Sequence, residues 1–379
     1  MIDLERIPAE EAAQIDNIVN LTIAHLKRRY PSGDGIRRAV HAKDHGCVRA
    51  QFEVLPELPD DLRVGVFSRP GHVYDAWIRF SNAAVLDAAD SQDESGVIRH
   101  GSRGMAIQLQ GVSGTPLIPT VGALTQDFLM VNHPVFAFAN VEDYEALNLV
   151  LQADGDAPNR FFKERIRRLP EGKPDLADPV TRRAVHSAQI VSRIQSDSLT
   201  PPPRNPPTPP AFQEPPASPV DNRYFSAAPF MFGSDRVMKF SATPVAPQRH
   251  AVPNLTQRDY LKEALYERLK ADDAKAIVFT FQVQLRPASD FVGKVESEIE
   301  DACFEWAESV YRFRDVARIT IPPQDIKDPD RQKLCENLSF TPWSGVAEHR
   351  PLGGINRLRR AVYEASAQFR HASNDPALF

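Results

Sequence analysis

The sequence predicts an α+β fold, an antiparallel sheet or barrel combined with helical segments. Three observations lead there. Several short stretches alternate apolar and polar residues, the pattern of half-buried strands. These stretches lie on both sides of a helical block, with no regular βαβ alternation. No internal repeat of fixed period is present, which sets aside solenoids and propellers. With 379 residues, 42% of them hydrophobic, the chain is long enough to bury a large core.

In chain order, residues 11–30 read as an amphipathic helix with Ile15, Ile18, Val19, Leu26 and Tyr30 on one side. Four β-like runs follow: Val48 to Val54, Val64 to Phe67, Val73 to Phe80, and Met105 to Leu109. Helical stretches are expected around 141–153, 159–169 and 177–194. Further on, Arg236 to Ala242 and Ala276 to Arg286 alternate cleanly. In the second, Phe279, Phe281, Val283 and Leu285 face one way, and Thr280, Gln282 and Gln284 the other. Val316 to Ile321 is another strand, stopped by Pro322 and Pro323, and residues 355–372 form a last helix.

The chain holds 33 prolines, where average usage gives roughly 19. Ten fall between Pro201 and Pro219, a run that excludes helix interiors and central strands and reads as a polyproline-II linker or surface arm. The formal charge of −5 gives no electrostatic footprint for nucleic acid. Three cysteines, Cys47, Cys303 and Cys335, are too few and too scattered for a disulfide framework or a zinc cluster, and read as buried thiols. The first residues show no secretory leader and no stretch has the length of a membrane span, so a cytoplasmic protein is expected.

Two groups of residues carry chemistry. On the last helix Arg359, Tyr363 and Arg370 lie at offsets 0, 4 and 11, within roughly 40° of one another on one face. A phenolate one turn from an arginine is stabilised by its charge, and a second arginine stands about 10 Å further along. The spacing suits an anionic cofactor such as haem, and equally a solvated arginine face beside a core tyrosine. In the N-terminal third, His41 follows Arg38 by three residues. A neutral histidine there can move a proton between the two oxygens of a peroxide, although a lone histidine is more often structural.

Together with their surroundings these residues resemble the haem catalase family. The stretch Cys335-Glu-Asn-Leu-Ser-Phe-Thr-Pro-Trp343, then Glu348 to Arg357, then Arg359-x-x-x-Tyr363, is similar to the family's proximal-ligand region. Arg38-Ala-Val-His41-Ala-Lys resembles its distal-histidine motif. Arg79-Phe-Ser81, Arg103-Gly-Met-Ala-Ile-Gln and Asp127 to Phe136 resemble three further motifs, in the family's order. The resemblance implies an antiparallel β-barrel enclosing haem, over residues 37–372, interrupted by the proline-rich linker 201–219. Residues 1–36 form an N-terminal helix or arm and 373–379 a tail. It also implies a compact chain without the family's longer terminal extensions.

By the same resemblance haem b is the cofactor, Tyr363 its iron ligand and His41 the acid–base residue, with Ser81 orienting the imidazole. Arg38, Arg79 and Arg370 would meet the haem propionates, and Arg359 would support the tyrosinate, which favours oxidised iron. Phe80, Phe128 and Phe136 would wall the pocket, although core packing explains them as well. Counting back from Pro134 places Val131 where the family has its distal asparagine. Asn132 follows, and a bulge bringing it inward is slightly favoured. Gly101, Ala83 and Ala137 stand where the family has a channel aspartate, a valine and a phenylalanine, and widen the approach.

The implied activity is a haem peroxidase or catalase acting on hydrogen peroxide or organic hydroperoxides, with a small organic electron donor as a further partner. Two alternatives stand beside it: a fatty-acid hydroperoxide-rearranging enzyme like allene oxide synthase, and a non-catalytic haem-binding protein. Val40, where those synthase-like relatives carry threonine, weighs against the first alternative, and the acid–base histidine against the second. Family members commonly form dimers or tetramers, so a homo-oligomer is expected. The residues leave NADPH binding open.

Overall fold

The computed structural model describes residues 4–31, 35–83, 90, 102–119, 122–136, 138–153, 161, 164–175, 178–194, 218–247, 257–270, 274–293 and 298–374. Most of the proline-rich run, Gly101, Ala137 and residues 159, 160, 162 and 163 of the expected 159–169 helix lie outside the described residues.

Helix α1 spans Glu11–Arg29, with an acidic residue in its first turn and Lys27, Arg28 and Arg29 in its last, complementing the helix dipole. Strands β1 (Asp44–Val54), β2 (Val73–Asn82), β3 (Arg103–Leu109) and β4 (Gln126–Val131) follow. Helices α2 (Val141–Ala153) and α3 (Pro179–Ile194) form the helical block. Then come β5 (Tyr224–Phe225), β6 (Phe230–Phe232), β7 (Arg236–Pro244), helix α4 (Tyr260–Lys270), β8 (Ile277–Pro287), β9 (Phe313–Ile321), α5 (Pro329–Asn337) and α6 (Gly354–Asn374).

The sheet closes on itself. Strand β1 pairs with both β2 and β9, the order runs β2-β3-β4-β5, and β5 pairs with β7, which continues through β8 to β9. Eight strands thus form an antiparallel barrel, with β6 added along β7. The seam is thin: β4 meets β5 at the single pair Val131↔Phe225, and β5 meets β7 at two pairs.

Alternation sends one face of each strand inward. Phe52, Phe80, Phe128, Phe240, Phe279 and Phe281 are fully buried there, and Phe128 stands 4.8 Å from Phe281 and 5.0 Å from Phe240, centroid to centroid. The interior is therefore a packed aromatic core.

The expected run Val64 to Phe67 is instead a 3₁₀ turn at Gly65–Phe67. Gly65 has φ +54°, and a Cβ there would stand 2.4 Å from Nε2 of His349, so backbone and side chain both exclude an extended strand. Helices α4 and α5 were not marked by the sequence patterns. Leu261, Leu265 and Leu269, one turn apart, bury one face of α4, and α5 starts on Asp328, whose Oδ1 accepts from Arg331 N at 2.8 Å ahead of Pro329.

The start of α6 is held from outside. Glu300 Oε2 accepts from Gly354 N at 2.8 Å, and Glu5 Oε1 from Gly353 N at 2.9 Å. Arg357 joins Glu5, Glu11 and Glu300 in one ion-pair cluster. Carboxylates at a helix N-terminus satisfy its free N–H groups and its dipole.

Candidate functional site

A cavity of about 780 Å³, counting its open mouth, lies between the barrel and α6. On β2, Ile78 and Phe80 point into the barrel core while Arg79 and Ser81 line the cavity, so the cavity lies against the outer face of the strands.

His41 enters from the segment before β1. Its φ of +56° is the left-handed region, costly for a residue with a side chain. The Nδ1 of His41 lies 2.9 Å from Ser81 Oγ. Gly104 on β3, paired with Ser81, makes the room: a Cβ there would stand 2.5 Å from the imidazole. Burial, reinforced by the charges of Arg79, Arg359 and Arg38, lowers the His41 pKa to about 3. The ring is therefore neutral at physiological pH.

Helix α6 supplies Arg359, Tyr363, Ser366 and Arg370 to the lining, the one-face grouping that the spacing predicts. The Arg359 guanidinium lies 5.5 Å from the ring centres of both Tyr363 and Phe136. Its Nη1 donates to Asn356 Oδ1 at 3.1 Å. Asn356 is fully buried and locked, its Nδ2 donating to the carbonyls of Pro229 and Leu352 at 3.0 Å each.

Arg38, Arg79 and Arg370 gather at one end of the cavity. Arg38 Nη2 donates to the carbonyls of Cys335 and Leu338, and Arg370 donates to those of Glu336 and Leu338 and to Ser339 Oγ. Glu336 is a carboxylate partner of Arg38, at 3.3 Å. The buried Arg79 Nε and Nη2 and Arg370 Nε have no hydrogen-bond acceptor. Burial, with Arg79 and Arg370 adding like charge, drops the Arg38 pKa to about 9, and burial lowers that of Arg370. Orphaned buried donors and crowded cations call for an anionic occupant.

Two predicted residues stand elsewhere. Val131 lines the cavity, while Asn132 turns its Oδ1 to Arg103 N at 2.7 Å and Ser102 Oγ at 3.3 Å. No bulge is present in the β3–β4 register, so strand alternation sends the two side chains apart. Phe128, like Phe80, belongs to the barrel core, while Phe136 lines the cavity. Of the residues the sequence did not mark, Ser366 Oγ accepts from Ala39 N at 3.2 Å and ties α6 to the His41 segment. The Arg103-Gly-Met motif contains Gly104 but does not disclose its steric duty.

The lining residues are compatible with haem: Tyr363 offers a phenol oxygen to the cavity, the arginine cluster suits two carboxylates, and Val40, Leu129, Val131 and Phe136 form apolar walls. Among the described residues no group of three His, Cys, Asp or Glu forms a metal site of another kind, and no helix is long and apolar enough to cross a membrane.

No family model and no curated protein sequence matches the chain. Solved structures do. A fungal catalase matches with TM-score 0.62 and 15% identity, over 92% of this chain and 61% of that one. Catalase A from Saccharomyces cerevisiae gives 0.62 and 17%, over 92% and 63%; a bacterial catalase gives 0.60 and 14%, over 92% and 59%. The chain thus spans about three fifths of the length of each. At these identities the likeness concerns the fold: the chain has a catalase-related fold.

Proposed function

We propose that this protein is a haem-dependent oxidoreductase that consumes peroxides, with organic hydroperoxides preferred over hydrogen peroxide. The observation that carries this reading is one cavity joining a neutral, serine-tethered His41, the Arg359–Tyr363 pair and a cationic end rich in unpaired donors.

Arg38, Arg79 and Arg370 would bind the propionates, and Tyr363 the iron. Carboxylates there satisfy the orphaned donors and relieve like-charge crowding. When bound, haem supplies the two-electron redox chemistry that the side chains lack. Arg359 holds positive charge against the Tyr363 ring and so favours its phenolate. With Nδ1–H donated to Ser81, His41 presents Nε2 as the base. It takes the proton from one peroxide oxygen and returns it to the other, which leaves as water or alcohol.

The preference for organic hydroperoxides rests on Val131. With Asn132 engaged by Arg103 and Ser102, the lining near His41 offers an alkyl contact in place of an amide. An apolar wall binds an alkyl group and orients hydrogen peroxide poorly.

The test is the full chain supplied with haem. A high-spin ferric Soret band, lost in Tyr363→Ala and kept in His41→Ala with most turnover gone, is the expected result. Cumene hydroperoxide with an electron donor should be consumed faster than oxygen is released from hydrogen peroxide. Absence of haem binding, or full activity of His41→Ala, overturns the reading.

A further inference from the structure

His41 sits in the left-handed region at φ +56°, where a residue with a side chain stays only if its surroundings hold it there. On its C-terminal side the barrel supplies the hold. Asn82 N donates to the Lys43 carbonyl at 3.0 Å, and Ser81 Oγ meets the imidazole at 2.9 Å. On its N-terminal side the hold comes from α6. The N–H of Ala39, a buried residue, donates to Ser366 Oγ at 3.2 Å. Further back, one side chain grips both backbone polar atoms of Ile36. Its N donates to Asn374 Oδ1 at 2.9 Å, and its O accepts from Asn374 Nδ2 at 2.8 Å. Leu26, Ile36 and Ala39 are buried together, with Phe369 of α6 packed against them. One helix thus carries Tyr363 and grips the segment that carries His41.

We propose that Ser366 and Asn374 are positioning residues, which clasp residues 36–39 to α6 and so keep His41 in its strained backbone conformation with its ring against Ser81. The inference rests on the proposed function only in giving His41 an acid–base task; the clasp itself is a matter of the chain's own hydrogen bonds. Releasing it leaves the strained residue held from one side. Residue 41 then relaxes toward negative φ, which redirects its side chain away from Ser81. Arg359, Tyr363 and Arg370 keep their places on α6.

The two halves of the clasp are unequal. Ser366 is buried, and removing its hydroxyl leaves the Ala39 N–H without an acceptor. Asn374 is exposed, so water replaces its bonds at less cost. Asn374 does not line the cavity and lies about 16 Å along the helix from Tyr363. An effect of its loss on the imidazole therefore has to travel through residues 36–41.

The test follows the His41 ring. The full chain, labelled with ¹⁵N-histidine, is observed by NMR without haem, and the His41 signals are those missing from His41→Gln. The unaltered chain should show a neutral ring, protonated at Nδ1, that does not titrate between about pH 5 and 8. Ser366→Ala should move these signals toward those of Ser81→Ala and bring titration into that range, and Ser366→Thr, which keeps the hydroxyl, should restore them. Asn374→Ala should move them the same way and less far; because Asn374 is exposed, this variant gives the answer even where Ser366→Ala fails to fold. In protein supplied with haem, both variants should keep the Soret band, while kcat for cumene hydroperoxide falls by as much as about 10²-fold in Ser366→Ala with KM little changed. His41 signals left unchanged by either Ser366→Ala or Asn374→Ala overturn the proposal, as does a shift that Ser366→Thr fails to restore. A chain that takes up no haem overturns the proposed function instead and leaves the imidazole measurement intact.

Discussion

Gly104→Ala adds one methyl group at the point where the His41 ring is seated. The new carbon would stand 2.5 Å from Cε1 and Nδ1 of His41 and 2.9 Å from Ser81 Oγ. Non-bonded carbons settle near ~3.5–4.0 Å, so the ring must move by about 1 Å. That shift breaks the 2.9 Å contact between His41 and Ser81. Overpacking costs about 1–3 kcal/mol and the hydrogen bond about 0.5–1.5, together roughly 2–4 kcal/mol of stability. If His41 is the acid–base group, turnover falls by about 10²–10⁴, the usual worth of such a group. The assay is peroxide consumption per bound haem, alongside urea unfolding. Because Gly104 and Ser81 act through the same ring, the double variant Gly104→Ala/Ser81→Ala should lose little more activity than Gly104→Ala alone. Full activity and unchanged stability of Gly104→Ala would refute the assigned seating of His41.

Other predictions concern neighbouring groups. Asp127 is buried, with Oδ2 accepting from Thr341 N at 2.9 Å, and burial pushes its carboxyl up to about 8. The folded state thus holds a proton that the unfolded chain releases near pH ~4. Stability should fall as pH rises from about 4 to 8, and Asp127→Asn should flatten that slope, measured by urea titration across pH. Arg357→Ala would leave Glu5, Glu11 and Glu300 facing one another, and unfolding should be easier by on the order of 3 kcal/mol. Replacing Arg357 without loss of stability would show that the cluster is solvated. If Tyr363 ligates haem as proposed, Asn356→Leu should release Arg359 and shift the tyrosinate charge-transfer band of the haem-supplied protein; an unchanged band would deny Asn356 its positioning role.

What the sequence disclosed was local. Arg359, Tyr363 and Arg370 share a helix face because their spacing matches the helical turn, and the structure gathers all three in the cavity. Alternation in β8 placed Phe279 and Phe281 in the core. The hidden features depend on contacts between distant segments. Ser366 with Ala39, Asp127 with Thr341, and Gly104 under His41 join residues far apart in the chain. Asn132 shows how one residue of register decides an outcome: without a bulge, Val131 takes the inner place. The 3₁₀ turn at Gly65 escaped because a valine–glycine–valine run resembles a strand, and only His349 packed beneath reveals otherwise.

The thin seam gives the barrel a soft side. Elsewhere its strands are zipped by long ladders, nine register pairs between β7 and β8 and seven between β2 and β3. At β5 the ring is completed by one pair to β4 and two to β7. Local opening costs least where fewest backbone bonds must break. Amide hydrogens of Tyr224 and Phe225 should therefore exchange with solvent sooner than those of the phenylalanine-filled strands. Val131 of that single pair and Ser226 just beyond it both line the cavity. Breathing of the seam would thus widen the cavity wall from the side, a transient passage for molecules larger than the resting mouth admits.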